Sequence, residues 1–205
     1  MTSLAPDGLH MGADGQYRCW WVGDHPDYQA YHDQEWGRRL TSDCALFEKL
    51  CLEAFQAGLS WLTILRKRDN FRAAFDQFEF AQIAQYDRAK IEQLLQDPGI
   101  VRNRRKVEAV VNNARLVPAL LAEFGSLNAY FEQFVPDPAT RPQPLTAQAL
   151  QALTQTPESQ RLSKDLKRRG WSFVGPTTLY AFMQSVGLVN DHVPGCWVRE
   201  ECDRD

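Results

Sequence analysis

Four side chains able to bind a borderline metal lie at opposite ends of this chain. Cys19 and His32 are thirteen residues apart, and His192 and Cys196 are four apart in Asn190-Asp191-His192-Val193-Pro194-Gly195-Cys196. Two thiolates and two imidazoles make the tetrahedral set that zinc takes in closed, structural sites, with no position left for water. Read so, they clasp one end of the chain to the other around one zinc ion. The spacing is not that of a zinc finger, and a buried cysteine with a few hydrogen-bonded histidines accounts for the pattern equally well. Five cysteines, an odd number, fit metal binding or free thiols in a reducing compartment better than a disulfide framework.

Two further stretches could carry chemistry. Glu53 sits in a helical pattern whose apolar face is Leu46, Phe47, Leu50, Cys51 and Ala54. At 100° per residue it falls beside Leu46, at the margin of that face. A carboxylate there is either a solvated flank residue, the commoner case, or a group at the rim of a pocket. The second stretch is a pair of helices joined by Trp171-Ser172-Phe173-Val174-Gly175, with Pro176 opening the second. Free N–H groups at a helix start, with glycine beside them, suit a phosphate. Lys164, Lys167, Arg168 and Arg169 add positive charge. An ordinary hairpin with a solvated basic face has the same pattern.

The elements that must position these groups are helical. Ser42 or Asp43 is placed to cap a helix ended by Gly58, and Ser60 the next, through Trp61, Leu62 and Leu65. Further helices are expected over Asp87–Gln96, from about Arg102 with Pro118 placed to kink or split it, from Ser126, over Ser159–Arg169 and over Pro176–Val186. Four prolines within Pro136–Pro144 predict a loop or a joint between lobes. No alternating strand stands out, and Met1–Gln16 reads as a loose tail before a single domain over 17–205. A length of 205 residues suits one domain or one domain in two lobes. A net charge of −3 means any DNA-binding surface is local. No apolar run reaches the ~18 residues of a membrane span, and the start lacks the pattern of a secretory signal.

Tyr28-Gln29-Ala30-Tyr31-His32-Asp33, Glu35-Trp36-Gly37, Leu46-Phe47-Glu48, Leu52-Glu53 and Gln56-Ala57-Gly58-Leu59-Ser60-Trp61 occur in order, followed by Gly99-Ile100-Val101-Arg102, Phe173-Val174-Gly175 and Gly187-Leu188-Val189-Asn190-Asp191-His192. With these motifs the chain resembles the bacterial 3-methyladenine DNA glycosylase I family of the helix-hairpin-helix glycosylase superfamily, over about Tyr17 to Trp197. The resemblance implies an all-α, two-lobed helical bundle with a helix-hairpin-helix motif and a structural zinc joining the termini. It assigns the zinc to Cys19, His32, His192 and Cys196. It puts base recognition on Glu53, Tyr28, Tyr31 and Trp61, and the hairpin on Phe173, Val174 and Gly175. It further implies excision of N3-methyladenine from double-stranded alkylated DNA without strand cutting, by a cytoplasmic monomer working at the nucleoid.

The chemistry this implies is modest. N3-methyladenine in DNA is cationic, and its base leaves neutral, so little acid catalysis is needed. Extruding the base takes a few kcal/mol, less for a damaged one. Aromatic faces on Tyr28, Tyr31 and Trp61 favour a cation by roughly 0.5–2 kcal/mol each. Glu53 is the expected catalytic group, attracting the charge and accepting from the exocyclic amine. An unpartnered carboxylate there would be costly, so a local donor is expected beside it. Asn190 occupies the place where superfamily relatives carry an aspartate, with Asp191 next to it as a second candidate. Lys164 and Lys167 read as phosphate contacts, not as amine nucleophiles for a lyase step. Leu59 is either a wedge filling the gap left by the base or a core leucine. Phe55 departs from relatives and is expected to reshape the pocket wall.

Overall fold

The computed structural model describes residues 8–141 and 145–203. It opens on a small antiparallel hairpin of β1 (Leu9–Met11) and β2 (Tyr17–Cys19), with Leu9 opposite Cys19 and Met11 opposite Tyr17. Helices then follow: α1 (Pro26–Gln34), α2 (Asp43–Gln56), α3 (Trp61–Ala74), α4 (Phe80–Ile83), α5 (Arg88–Leu94), α6 (Arg104–Phe124), α7 (Leu127–Glu132), α8 (Ala147–Ala152), α9 (Pro157–Arg168), α10 (Pro176–Ser185) and α11 (Arg199–Cys202). Short 3₁₀ turns lie at Asp76–Phe78 and Pro138–Thr140.

The helix starts obey local chemistry. Ser60, Asp87, Asn103, Ser126 and Thr156 each accept a hydrogen bond from a backbone N–H of the first turn they precede. Ser42 is also an N-cap position but makes no such bond, while Asp43 accepts from the N–H of Leu127 at 2.8 Å and so ties α2 to α7. α2 is the central helix. Its residues from Leu46 to Phe55 are buried except Glu48, which is why its pattern lacks a polar face. It packs against α3, α7 and α10.

Two apolar clusters make the lobes. The larger runs from Leu46 to Val189 and includes Phe47, Phe55, Phe71, Phe131 and Phe182. The smaller gathers Leu9, Cys19, Val22, Tyr31, Trp36, Val193 and Cys196 from the two ends of the chain. Trp61 packs against both. The link Gly37–Leu40 joins them under a tight constraint. Gly187 has φ +74°, and a Cβ there would sit 2.7 Å from the Arg38 carbonyl carbon, so the turn after α10 needs glycine.

Several sequence expectations are corrected. Residues 8–16 are not loose tail. They form β1 and its turn, held by Arg18, which is buried and pairs with Asp14 and Asp33 at 2.7 Å each. Residues 1–7 lie outside the described residues. Pro118 neither splits nor ends α6, which continues through it to Phe124. α9 starts two residues earlier than expected because Thr156 forms a reciprocal cap with Ser159 and Pro157 takes the first position. Pro142 and Pro144 of the proline-rich segment lie outside the described residues. Phe55 packs in the core on Phe71, at 4.6 Å between ring centroids, and does not shape the pocket wall.

Candidate active site and metal centre

β2, α1 and the segment after α10 bring Cys19, His32, His192 and Cys196 together, with ligand atoms all within 4.8 Å of one another. Cys196 Sγ lies 3.4 Å from His32 Nε2 and 3.4 Å from His192 Nδ1, and those two nitrogens are 3.2 Å apart. A tetrahedron with zinc bonds of ~2.0–2.3 Å has edges of about 3.3–3.8 Å, so the donor set fits one zinc. The remaining imidazole nitrogens are already occupied. His32 Nδ1 donates to Asp33 at 2.8 Å, and His192 Nε2 donates to the Trp36 carbonyl at 3.0 Å. Those bonds orient both rings and choose the ligating nitrogens. Asp33 also accepts from Arg18 and from the Trp197 indole. The four residues form a structural zinc site that fastens the two ends of the fold.

Beside the clasp, at the seam of the two clusters, lies a cavity of about 240 Å³. Its walls are mostly aromatic: Trp20, Trp21, Tyr28, Tyr31, Trp36 and Trp61. Tyr31 and Trp61 stand 5.3 Å apart between centroids, and Trp21 and Tyr28 5.0 Å. Its polar groups are Glu53, Gln56, Gln184 and Asp191. All four residues expected to recognise a base therefore share one cavity. Glu53 is 5 % exposed, which rules out the solvated-flank reading. Burial pushes its carboxyl up to about 7, while the charge of Lys49 and the Ser185 hydroxyl hold it down. Burial and the Glu53 charge push the Tyr28 phenol up to about 12 and Tyr31 well above the ordinary range. The Tyr31 hydroxyl and the Trp61 indole N–H are buried with no hydrogen-bond partner among the described residues.

Sequence reasoning missed parts of this site. Trp20 and Trp21 carry no local signal of a role, and Trp36 stood out only within the Glu35-Trp36-Gly37 motif. Asp191 is buried and lines the cavity, but it is not a free base. It accepts from Arg141, from the Tyr180 hydroxyl at 2.5 Å and from Gln184 at 2.7 Å. Asn190 faces away, donating to the Arg199 carbonyl and to Asp203. Lys49, one turn before Glu53, is buried although nothing but its i, i+4 spacing hinted at a role.

Of the residues expected to contact DNA, Leu59 adjoins the cavity, its carbonyl accepting from Gln56 at 3.4 Å. Leu59, in the turn between α2 and α3, is 41 % exposed, which excludes the core reading. The turn is held from beneath, because Lys106 donates to the carbonyls of Phe55 at 2.8 Å and Ala57 at 2.6 Å. α9 and α10 form the expected hairpin. Asn113 of α6 clamps its turn, donating to the Ser172 carbonyl and accepting from the Ser172 N–H, both at 2.9 Å. Ser163 donates to the Val174 carbonyl, Phe173 takes φ +56°, and Gly175 is the N-cap of α10. A Cβ at Gly175 would meet nothing within 4 Å, so its outer side is open. On α9, Arg168 and Arg169 are paired with Asp165, and Arg169 also with Glu123. Lys164 and Lys167 are exposed.

The helical body, the helical hairpin, the exposed Leu59 and the aromatic cavity built round a buried carboxylate are the arrangement expected of a base-extruding DNA glycosylase. Comparison with known proteins agrees. A family model for methyladenine glycosylase matches residues 21–200. DNA-3-methyladenine glycosylase 1 of Escherichia coli (strain K12) is 46% identical over 180 residues, 87% of this chain and 95% of that protein. A crystal structure of 3-methyladenine DNA glycosylase I superposes with TM-score 0.80 at 45% identity, covering 88% of this chain and 98% of the other. The Staphylococcus aureus 3-methyladenine DNA glycosylase I, solved for the structural basis of 3-methyladenine recognition, gives 0.78 at 36% identity over 85% and 92%. The chain belongs to the methyladenine glycosylase family.

Proposed function

We propose that the aromatic cavity receives N3-methyladenine flipped from double-stranded alkylated DNA, and that Glu53 is the group that makes this protein's monofunctional glycosylase chemistry selective. The observation that carries the reading is a buried carboxylate walled by six aromatic rings. A cationic purine gains from each of those features, and neutral adenine from few of them. Glu53 accepts from the exocyclic amine and attracts the positive charge; Tyr28, Tyr31 and Trp61 face the ring. Leu59 fills the place the base leaves. The Phe173-Val174-Gly175 turn, with Lys164 and Lys167, grips the backbone without reading sequence.

The bond that breaks is the one from C1′ of the sugar to the base. Its electron pair goes to the base, which leaves neutral. Water adds at C1′ and gives up a proton to solvent, and the strand stays intact. Among the described residues no lysine lines the cavity, and Lys49 reaches the back of its rings. The work is done by a monomer in the cytoplasm, on nucleoid DNA. Among the described residues no helix is long and apolar enough to cross a membrane.

The test is release of 3-methyladenine from methylated duplex by the wild type and by Glu53→Gln, matched for zinc. The wild type is expected to release it and the variant to lose most activity, by about 10²-fold or more, as when a preorganised electrostatic contact is removed. Equal release by both would refute the role of Glu53.

A further inference from the structure

Lys49 is 7 % exposed, and its ammonium has no hydrogen-bond partner among the described residues. It stands 4.7 Å from the centroid of the Tyr31 ring and 5.3 Å from that of Trp61, two of the walls of the base cavity. It does not line that cavity. It borders a second, polar one with Gln34, Arg39 and Ser185. A buried lysine without a direct partner is costly, so its persistence calls for a reason.

The surrounding charges supply one. Three carboxylates act on Lys49: Glu35 from the end of α1, and Glu48 and Glu53 from α2. Glu35 is paired with Arg68 at 2.5 Å, and Glu48 with Arg72 at 2.8 Å. Arg38 and Arg39, at the edge of the second cavity, are paired with Glu201 and Glu132. Glu53 is the carboxylate of the group left without a direct ion pair among the described residues, and Lys49 the cation. One helical turn on α2 separates them.

We propose that Lys49 is a positioning residue whose charge draws Glu53 toward its ionised form near neutral pH. Its ammonium, seated behind Tyr31 and Trp61, is a resident counter-charge for the empty pocket. The inference rests on the reading of Glu53 as the base-recognising carboxylate. The incoming cationic base then meets a carboxylate that gives up its proton more readily, and rings already arranged around a positive charge. Burial pulls the Lys49 ammonium below the ordinary lysine range, and the three carboxylates pull it back. Burial raises Glu53, and Lys49 is the first influence that opposes the rise.

The experiment is the pH profile of kcat/KM for 3-methyladenine release from methylated duplex, using full-length zinc-loaded wild type, Lys49→Met and Lys49→Arg. In the Met variant the acid limb is expected to move up by roughly one pH unit, the low end of what a nearby opposite charge does. Activity is then about tenfold lower on that limb and rejoins the wild type at alkaline pH. In the Arg variant the limb stays in place. A Met variant whose activity falls by one factor at every pH, or does not fall, overturns the inference, since a packing defect has no reason to follow pH. If the Met variant does not fold, Lys49→Gln carries the same comparison. Glu53→Gln separates the two readings: if it keeps full excision the base-site assignment fails, and if it loses excision while Lys49 variants leave the limb unmoved, only the role of Lys49 fails.

Discussion

Glu53 should make the empty protein less stable, and the size of that effect follows from its surroundings. Its carboxyl titrates at about 7 in the fold against 4.5 for an unperturbed glutamate. A group that holds its proton more tightly when folded favours folding at low pH, and that contribution is lost as pH rises from the lower value through the higher one. A difference of about 2.5 pH units corresponds to about 3 kcal/mol. Glu53→Gln replaces the group with a neutral one of the same shape and is insensitive to this window. The variant should therefore exceed the wild type in unfolding free energy by about 1 kcal/mol at pH 5 and about 3 kcal/mol at pH 8. For a chain of this size the larger figure is a melting-point gain of roughly 6–12 °C. Urea unfolding of both zinc-loaded proteins at pH 5, 6, 7 and 8 reads it, because titrating groups that do not feel Glu53 cancel between them. A gap that does not change with pH, or a variant less stable than the wild type at pH 8, refutes the reasoning.

Two other outcomes test the surface and the clasp. Lys164→Ala and Lys167→Ala should each reduce the slope of log affinity against log salt by about 1, equally on damaged and undamaged duplex, and an unchanged slope in both removes them from the interface. Stripping zinc with a chelator should lower the melting temperature and abolish excision together, since Tyr28, Tyr31 and Trp36 lie in the segment the clasp fastens. An unchanged melt after verified metal removal would show that the cluster holds no structural ion.

Much of the site was legible in the sequence where a side chain's role depends on its own segment. The hairpin announced itself through Gly175 and Pro176, which take the N-cap and first position of α10. Cys19, His32, His192 and Cys196 stood out by type, yet nothing local distinguished a metal site from four separate buried groups. What stayed hidden depends on partners far along the chain. Lys49 reads as a surface lysine until Tyr31, Trp61 and Glu35 are packed over it. Asp191 reads as a free candidate base until Arg141, 50 residues away, pairs with it. Strands of three residues, β1 and β2, are too short for alternation to show. Phe55 looked like a pocket residue because it neighbours Glu53, but α2 is buried on nearly every side and turns Phe55 into the opposite core.

The clasp also orders events in time. Two of its ligands, Cys19 and His32, leave the ribosome early, and the other two only after α10 has been made. The cavity has the same division, with Tyr28 and Tyr31 synthesised first and Gln184 and Asp191 near the end. Domains fold as units while synthesis proceeds from the N-terminal side. A nascent chain that stops short of His192 therefore has no closed metal site, although every residue lining the cavity, up to Asp191, can already have been made. The clasp is thus completed late in synthesis, closing only after the residues of the cavity have been made.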